Sequence, residues 1–213
     1  MYKIGIMGTG IIAHEHMKAA REISDIRVTA VSNRTLEKAE RFADQYGIPK
    51  GSVYQDYSEM VEKEELDAVI ICLANHLHKD AFITCADRGV AVLLEKPMAH
   101  TADDSKEINA YRADNPVKLM IGHTQRYNPE YQKAKEIIES GSLGKLVMMN
   151  DVIYYNYFWE GRPAWFLNPS ECGGGILINY GVHTMDRIQF LCGSTAERVF
   201  AHIDWEMPGV DVD

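Results

Sequence analysis

Five short apolar runs punctuate the first 120 residues: "YKIGIMG", "IRVTAVS", "LDAVIICLA", "VAVLLE" and "VKLMIG". Between them lie stretches with helical spacing of apolar positions, at 11–23, 35–46, 77–88 and 101–114. Strand-length runs that alternate with helices of this length predict βαβ units and a parallel sheet. The runs are apolar on successive residues instead of every second one, as expected when helices cover both faces of the sheet. The expected class is α/β, with a doubly wound parallel sheet over residues 1–121.

The pattern changes over 122–213. A helix is expected at about 128–140, closed by Gly141 or Gly144, followed by a long strand "KLVMMNDVIYYNYF" at 145–158. A segment rich in Trp, Pro and Gly leads to an apolar helix at about 174–192. Val199, Ala201, Ile203, Trp205 and Met207 then alternate with Arg198, His202, Asp204 and Glu206, which predicts a strand with one buried face. This half reads as a second, α+β domain. Two strands make a small sheet against the usual four to six or so, so the sheet is expected to be incomplete.

Composition narrows the functional classes. The chain has 213 residues, 46% hydrophobic and 25% charged, with a formal charge of −9. Its lysines and arginines are dispersed, which argues against a nucleic-acid partner. The apolar runs fall well short of the roughly 18 residues of a membrane span, and "MYKIGIMG" lacks the regions of a signal peptide, so a cytoplasmic location is expected. Cys72, Cys85, Cys172 and Cys192 show no metal or redox spacing and read as reduced thiols. His14 with His16, and His76 with His78, are pairs without a third ligand, so no metal site is expected.

The first strand ends in "GTGIIA", the G-x-G-x-x-A form of the dinucleotide fingerprint. Gly8 permits the tight turn, Gly10 lets backbone approach a pyrophosphate, and small Ala13 lets the helix pack close. Thr9, Ile11 and Ile12 complete the cofactor-facing loop. About 20 residues on, an NAD site asks for an acid on the ribose; here the chain offers Ser32, Asn33 and Arg34, with no acid before Glu37. Arg34 suits a 2′-phosphate, which favours NADP(H). The alternative is NAD(H), with Asn33 on the ribose and Arg34 in solvent.

A lysine follows a buried strand in "VAVLLEKPMAH". Ligands of open α/β sheets lie beyond the carboxyl ends of the strands, so Lys96 is expected to point toward the nicotinamide region, where an ammonium can stabilise a substrate oxygen. Pro97 ends the strand. A surface lysine paired with Glu95 is the plainer reading. The later apolar helix carries a polar stripe of Asn179, His183 and Asp186 or Arg187 on one face. Asn179 can hold the imidazole of His183 in one tautomer and leave its other nitrogen to exchange a proton. A hydrogen-bonded core histidine is the other reading.

"GTGIIA", "CLANHLHKDAFITCADRGVAVLLEKP", "GHTQRYNPEY" with "GSLGKL", and "GGGILINYGVHTMD" together resemble the glucose-fructose oxidoreductase, inositol dehydrogenase and MocA family over nearly the whole chain. The resemblance implies a Rossmann domain followed by an open, mostly antiparallel sheet through which members self-associate. It implies NAD(P)-dependent exchange between a secondary alcohol and its carbonyl on a sugar or cyclitol. Lys96 and His183 match the family's lysine and histidine. Asn179 stands where Asp is common, so it would orient His183 without relaying charge. Leu73, Asn75, His78 and Glu95 fall in segments that line the cofactor side, although His78 reads equally as a helix cap. Arg126, Tyr155 and Trp165 are candidate substrate contacts; aromatic packing accounts equally for the latter two. Family members continue beyond this length, so the chain is expected to lack the later part of its second domain, leaving the 145–158 strand with an edge for self-association. Two other functions fit: a non-catalytic NADP(H)-binding protein, and a lyase or glycosidase that recycles its cofactor.

Overall fold

The computed structural model describes residues 1–204 and 209–213, in two compact units, Met1–Gly122 and His123–Asp213. Trp205, Glu206 and Met207 of the alternating run lie outside the described residues.

In the first unit, β1 (Tyr2–Met7), α1 (Ile11–Arg21), β2 (Ile26–Ser32), α2 (Leu36–Tyr46), β3 (Val53–Tyr54), α3 (Tyr57–Lys63), β4 (Ala68–Ile71), α4 (His78–Ala86), β5 (Ala91–Leu94), α5 (Ala102–Asp114) and β6 (Leu119–Ile121) form one doubly wound layer system. The sheet runs β3-β2-β1-β4-β5-β6 with every pair parallel. Successive residues of a strand face opposite ways, and two separate cores result. Met7, Val69, Ile71, Phe82 and Leu94 fill one; Ile4, Ile6, Val28, Val31 and Ile70 fill the other. Ile70 sits between Val69 and Ile71 in sequence and packs on the opposite side, so every position of this run is apolar.

Sequence periodicity does not reveal β3 and α3. β3 is a two-residue edge strand, and α3 is a seven-residue helix set by Asp56, whose side chain accepts from the Ser58 N–H. Neither is long enough to show a period.

In the second unit, α6 (Pro129–Glu139) starts at Asn128, whose side chain accepts from the Glu130 N–H, with Pro129 at the first helical position. Gly141 and Gly144 follow it, both with positive φ (71° and 73°). α7 (Pro169–Cys172) is one turn, and α8 (Val182–Cys192) is entered through a wide π-helical turn over Leu177–Gly181. Gly193, at φ 65°, closes α8.

The expected antiparallel sheet is corrected here. Among the described residues of 123–213 no strand forms, neither at 145–158 nor over the described part of the 198–207 run. An alternating pattern specifies which face is buried, but a strand also needs a neighbour to take its N–H and C=O groups. The described parts of the two runs do not pair, and Val147, Tyr154 and Phe200 stand 91%, 94% and 94% exposed. The core of this unit is small, centred on Tyr157, Cys172 and Val212.

Candidate functional site

β1 lies between β2 and β4, where the chain leaves in opposite directions on the two sides of the sheet. Such a switch point opens a crevice beyond the strand ends, and the glycine-rich loop sits at it. Gly8 has φ 90°, and a Cβ there would lie 2.4 Å from the Cys72 carbonyl oxygen. Only glycine fits. Gly10 is the N-cap of α1; a Cβ on it would meet open space, no side chain caps the helix, and no acid lies in its first turn. The uncapped helix start leaves N–H groups that can receive an anion. Ile11 and Ile12 are 74% and 39% exposed beside it, an apolar surface for a ring system. These residues fit a dinucleotide pyrophosphate.

The end of β2 is tied to this loop. The Gly8 N–H donates to the Ser32 carbonyl at 2.8 Å. Asn33 Nδ2 donates to Thr9 Oγ1 at 2.7 Å, and Asn33 Oδ1 accepts from the Thr35 N–H at 2.9 Å. Ser32 is buried, Arg34 is exposed, and the Arg34 carbonyl accepts from Gln55 Nε2. Gln55 follows β3, so its place in the loop was hidden with that strand.

Past β4, Leu73 is partly buried and Asn75 is buried in a short helical turn. His78 is fully buried: Nδ1 faces the Pro97 carbonyl at 2.8 Å and Nε2 the Leu73 carbonyl at 3.0 Å. Burial pushes its pKa down, against the opposing pull of the two carbonyls. Its ring meets protein on both sides, so its part at the site is to tie the Leu73 loop to the Pro97 turn. Burial also pushes the Cys72 thiol up, helped by nearby Glu95.

Glu95, at the end of β5, is buried. Its Oε1 accepts from His16 Nε2 at 2.7 Å, and its Oε2 accepts from the Lys96 N–H at 3.2 Å. Glu95 thus takes hydrogen bonds from His16 of α1 and from the Lys96 backbone; Lys96 is partly exposed and precedes a cis peptide to Pro97. His16 was missed in the sequence; its position one turn beyond Ala13 in α1 was the available signal.

In the second unit, His183, Asp186 and Arg187 are buried on α8. Asp186 forms a forked pair with Arg126, at 2.8 Å from Nε to Oδ2 and 2.6 Å from Nη2 to Oδ1, which raises the arginine's pKa further. Arg187 donates from Nε to Asp151 Oδ2 at 2.8 Å. These pairs fasten α8 to the segments around it, so Arg126 has a structural partner as well as an exposed surface. Asn179 lies in the π-helical turn and His183 just beyond it. Tyr155 stacks on Tyr180 at 5.0 Å, and Tyr180 meets the His183 ring edge-on at 5.6 Å. Trp165 stacks on its neighbour Phe166. A Cβ on Gly175 would collide with Asp213 backbone, and the Asp213 carboxylate accepts from the Gly175 and Leu177 N–H groups at 2.7 Å each. Among the described residues no group of three His, Cys, Asp or Glu side chains is placed to hold a metal ion. Nor is any described helix long and apolar enough to cross a membrane.

Two family descriptions match the chain: the GFO/IDH/MocA oxidoreductase family, NAD-binding Rossmann fold, over residues 2–123, and the GFO/IDH/MocA C-terminal domain over 131–213. A D-xylose 1-dehydrogenase (NADP(+)) of Haloferax volcanii is 31% identical over 92% of this chain and 59% of its own length. A scyllo-inositol 2-dehydrogenase (NAD(+)) of Bacillus subtilis is 29% identical over 94% of this chain and 56% of its own. The crystal structure of aldose-aldose oxidoreductase from Caulobacter crescentus, complexed with glycerol, superposes with a TM-score of 0.76 at 26% identity, covering 90% of this chain and 58% of that one. The chain thus spans a little over half the length of these relatives.

Proposed function

Because the chain belongs to the GFO/IDH/MocA oxidoreductase family, we propose that it serves an NAD(P)-dependent interconversion of a secondary alcohol and its carbonyl on a sugar or cyclitol. The observation that carries this reading is the loop at Gly8 and Gly10, whose uncapped helix start and missing Cβ atoms fit a pyrophosphate. A bound nicotinamide supplies the two-electron acceptor or donor. The chain's own residues do the rest. In the oxidising direction, neutral His183 takes the hydroxyl proton, and the Lys96 ammonium stabilises the oxygen as it gains charge. Reduction reverses both roles. Asn179 orients His183, and Arg126, Tyr155 and Trp165 are assigned to substrate contact.

NADP(H) is the proposed cofactor, since 32–35 carries no acid and Arg34 is the exposed cation where a 2′-phosphate would lie. The 145–158 segment, where Val147, Met148 and Tyr154 stand exposed, is assigned to self-association, and gel filtration at micromolar concentration should show a dimer or larger species; a monomer overturns that assignment.

The test is nucleotide-fluorescence titration with NADPH and NADH, then turnover over a panel of sugars and cyclitols. Lys96→Ala and His183→Ala should each lower turnover by about 10² to 10⁴ with nucleotide affinity nearly kept. Unchanged rates in both variants defeat the assignment. Binding without turnover on any substrate would favour a nucleotide-binding protein.

A further inference from the structure

Three independent features converge on one carboxylate in the first unit. Glu95 is 6% exposed at the carboxyl end of β5. Its Oε1 takes a 2.7 Å hydrogen bond from His16 Nε2, with side chains 13% and 8% exposed, across 79 residues of sequence. Its Oε2 takes the N–H of Lys96 at 3.2 Å. Gly122, at the end of β6, leaves room for it: a Cβ there would lie 3.0 Å from Glu95 Oε1 and 3.2 Å from its Cδ. A buried carboxylate accepts hydrogen bonds or costs free energy, so these contacts fix the Glu95 rotamer. The fixed carboxylate in turn holds the Lys96 peptide, and on the far side of Lys96 the Pro97 carbonyl faces buried His78.

We propose that His16 is a positioning residue for Lys96, acting through Glu95. The helix that starts at the pyrophosphate loop after β1 thereby also aims the lysine after β5, two strands along the sheet, through one hydrogen bond. This rests on the reading of Lys96 as the substrate-facing cation. His16 touches neither cofactor nor substrate in this scheme; its effect passes through the backbone of the Glu-Lys-Pro turn. A displacement of this kind, of about 1 Å, is enough to lower a rate by about 10².

The experiment compares His16→Ala and His16→Asn, which lose the donor or its reach, with His16→Gln, which keeps an N–H donor on a longer side chain. Gly122→Ala crowds the same carboxylate from the other side. Two readouts are taken. The first is independent of activity: competitive acylation of lysines by a limiting amine reagent, resolved by mass spectrometry, with Lys3 and Lys18 as surface references in each protein. Lys96 labelling relative to those references should change several-fold in His16→Ala, His16→Asn and Gly122→Ala, and should return toward the parent in His16→Gln. The second is a double-mutant cycle on turnover. His16→Ala should cost about 10² in kcat with KM and nucleotide affinity nearly unchanged, and the loss should vanish when Lys96 is already Ala. Unchanged Lys96 labelling in the folded variants, or a His16 effect that persists in the Lys96→Ala background, overturns the proposal. A parent protein that turns over no substrate sinks the proposed function, and the labelling result still decides the role of His16.

Discussion

"AVII" at 68–71 and "LVMM" at 146–149 are both runs of four apolar residues, and they end in opposite places. Val69 and Ile71 are sealed, at 0% exposure, inside a strand with a neighbour on each side. Val147 and Met148 stand 91% and 81% exposed in an unpaired segment. Apolar character is therefore necessary for burial and insufficient for it. What separates the two is the ladder: β4 enters between β1 and β5, and the helices of the same βαβ series cover it, while 146–149 has no paired strand among the described residues.

The strongest way to break this contrast is to hollow the first unit. Phe82 is fully buried against the strands, and Phe82→Ala should cost about 3–5 kcal/mol by urea denaturation. A loss below about 1 kcal/mol would mean the sheet core carries less than its packing implies. Next comes the loop: Gly8→Ala puts a methyl 2.4 Å from the Cys72 carbonyl at a positive φ, and should cost about 1–3 kcal/mol together with nucleotide binding by fluorescence titration. Wild-type affinity in that variant would remove the close approach from the argument.

A pH measurement sharpens the same contrast. His78 is held below its ordinary value of 6.5 by burial, so between that value and its folded-state pKa the unfolded chain binds a proton that the folded chain does not. Stability should then fall as pH drops below 6.5, with this residue contributing at most about 1.4 kcal/mol per pH unit. His78→Gln should flatten the slope in denaturation curves taken between pH 6.5 and 5.5, and an equal slope would remove the residue from the account. The smallest effect belongs to the second unit. Phe200, 94% exposed and outside the run assigned to self-association, should tolerate Ser with a change within about 0.5 kcal/mol. A larger loss would show that this side chain is covered in solution.

The first unit was readable because its signals are local and repeated. Each long strand is an apolar run, the helices α1 and α2 have an apolar face at helical spacing, and Gly8 announces a turn that only glycine allows. The Asp56 cap and the two-residue β3 were lost because nothing so short has a period. The second unit misled for the opposite reason: the alternation at 198–204 is real, but pairing is a property of two segments and cannot be read from one. Among the candidate residues, Lys96 in the first unit and His183 in the second stand out as charged or polar groups on apolar elements. His16 does not, because its partner is 79 residues away and only the β1-β4-β5 order of the sheet brings them together.

Cys72, Cys85 and Cys172 share a property with a practical side. Burial raises all three thiols above their ordinary range, Cys85 to about 12. At neutral pH fewer than about one Cys85 side chain in 10⁴ is then a thiolate, the form that attacks electrophiles and disulfides. A maleimide dye added to the folded chain should settle on Cys192, leaving the sheet and its crevice unmarked.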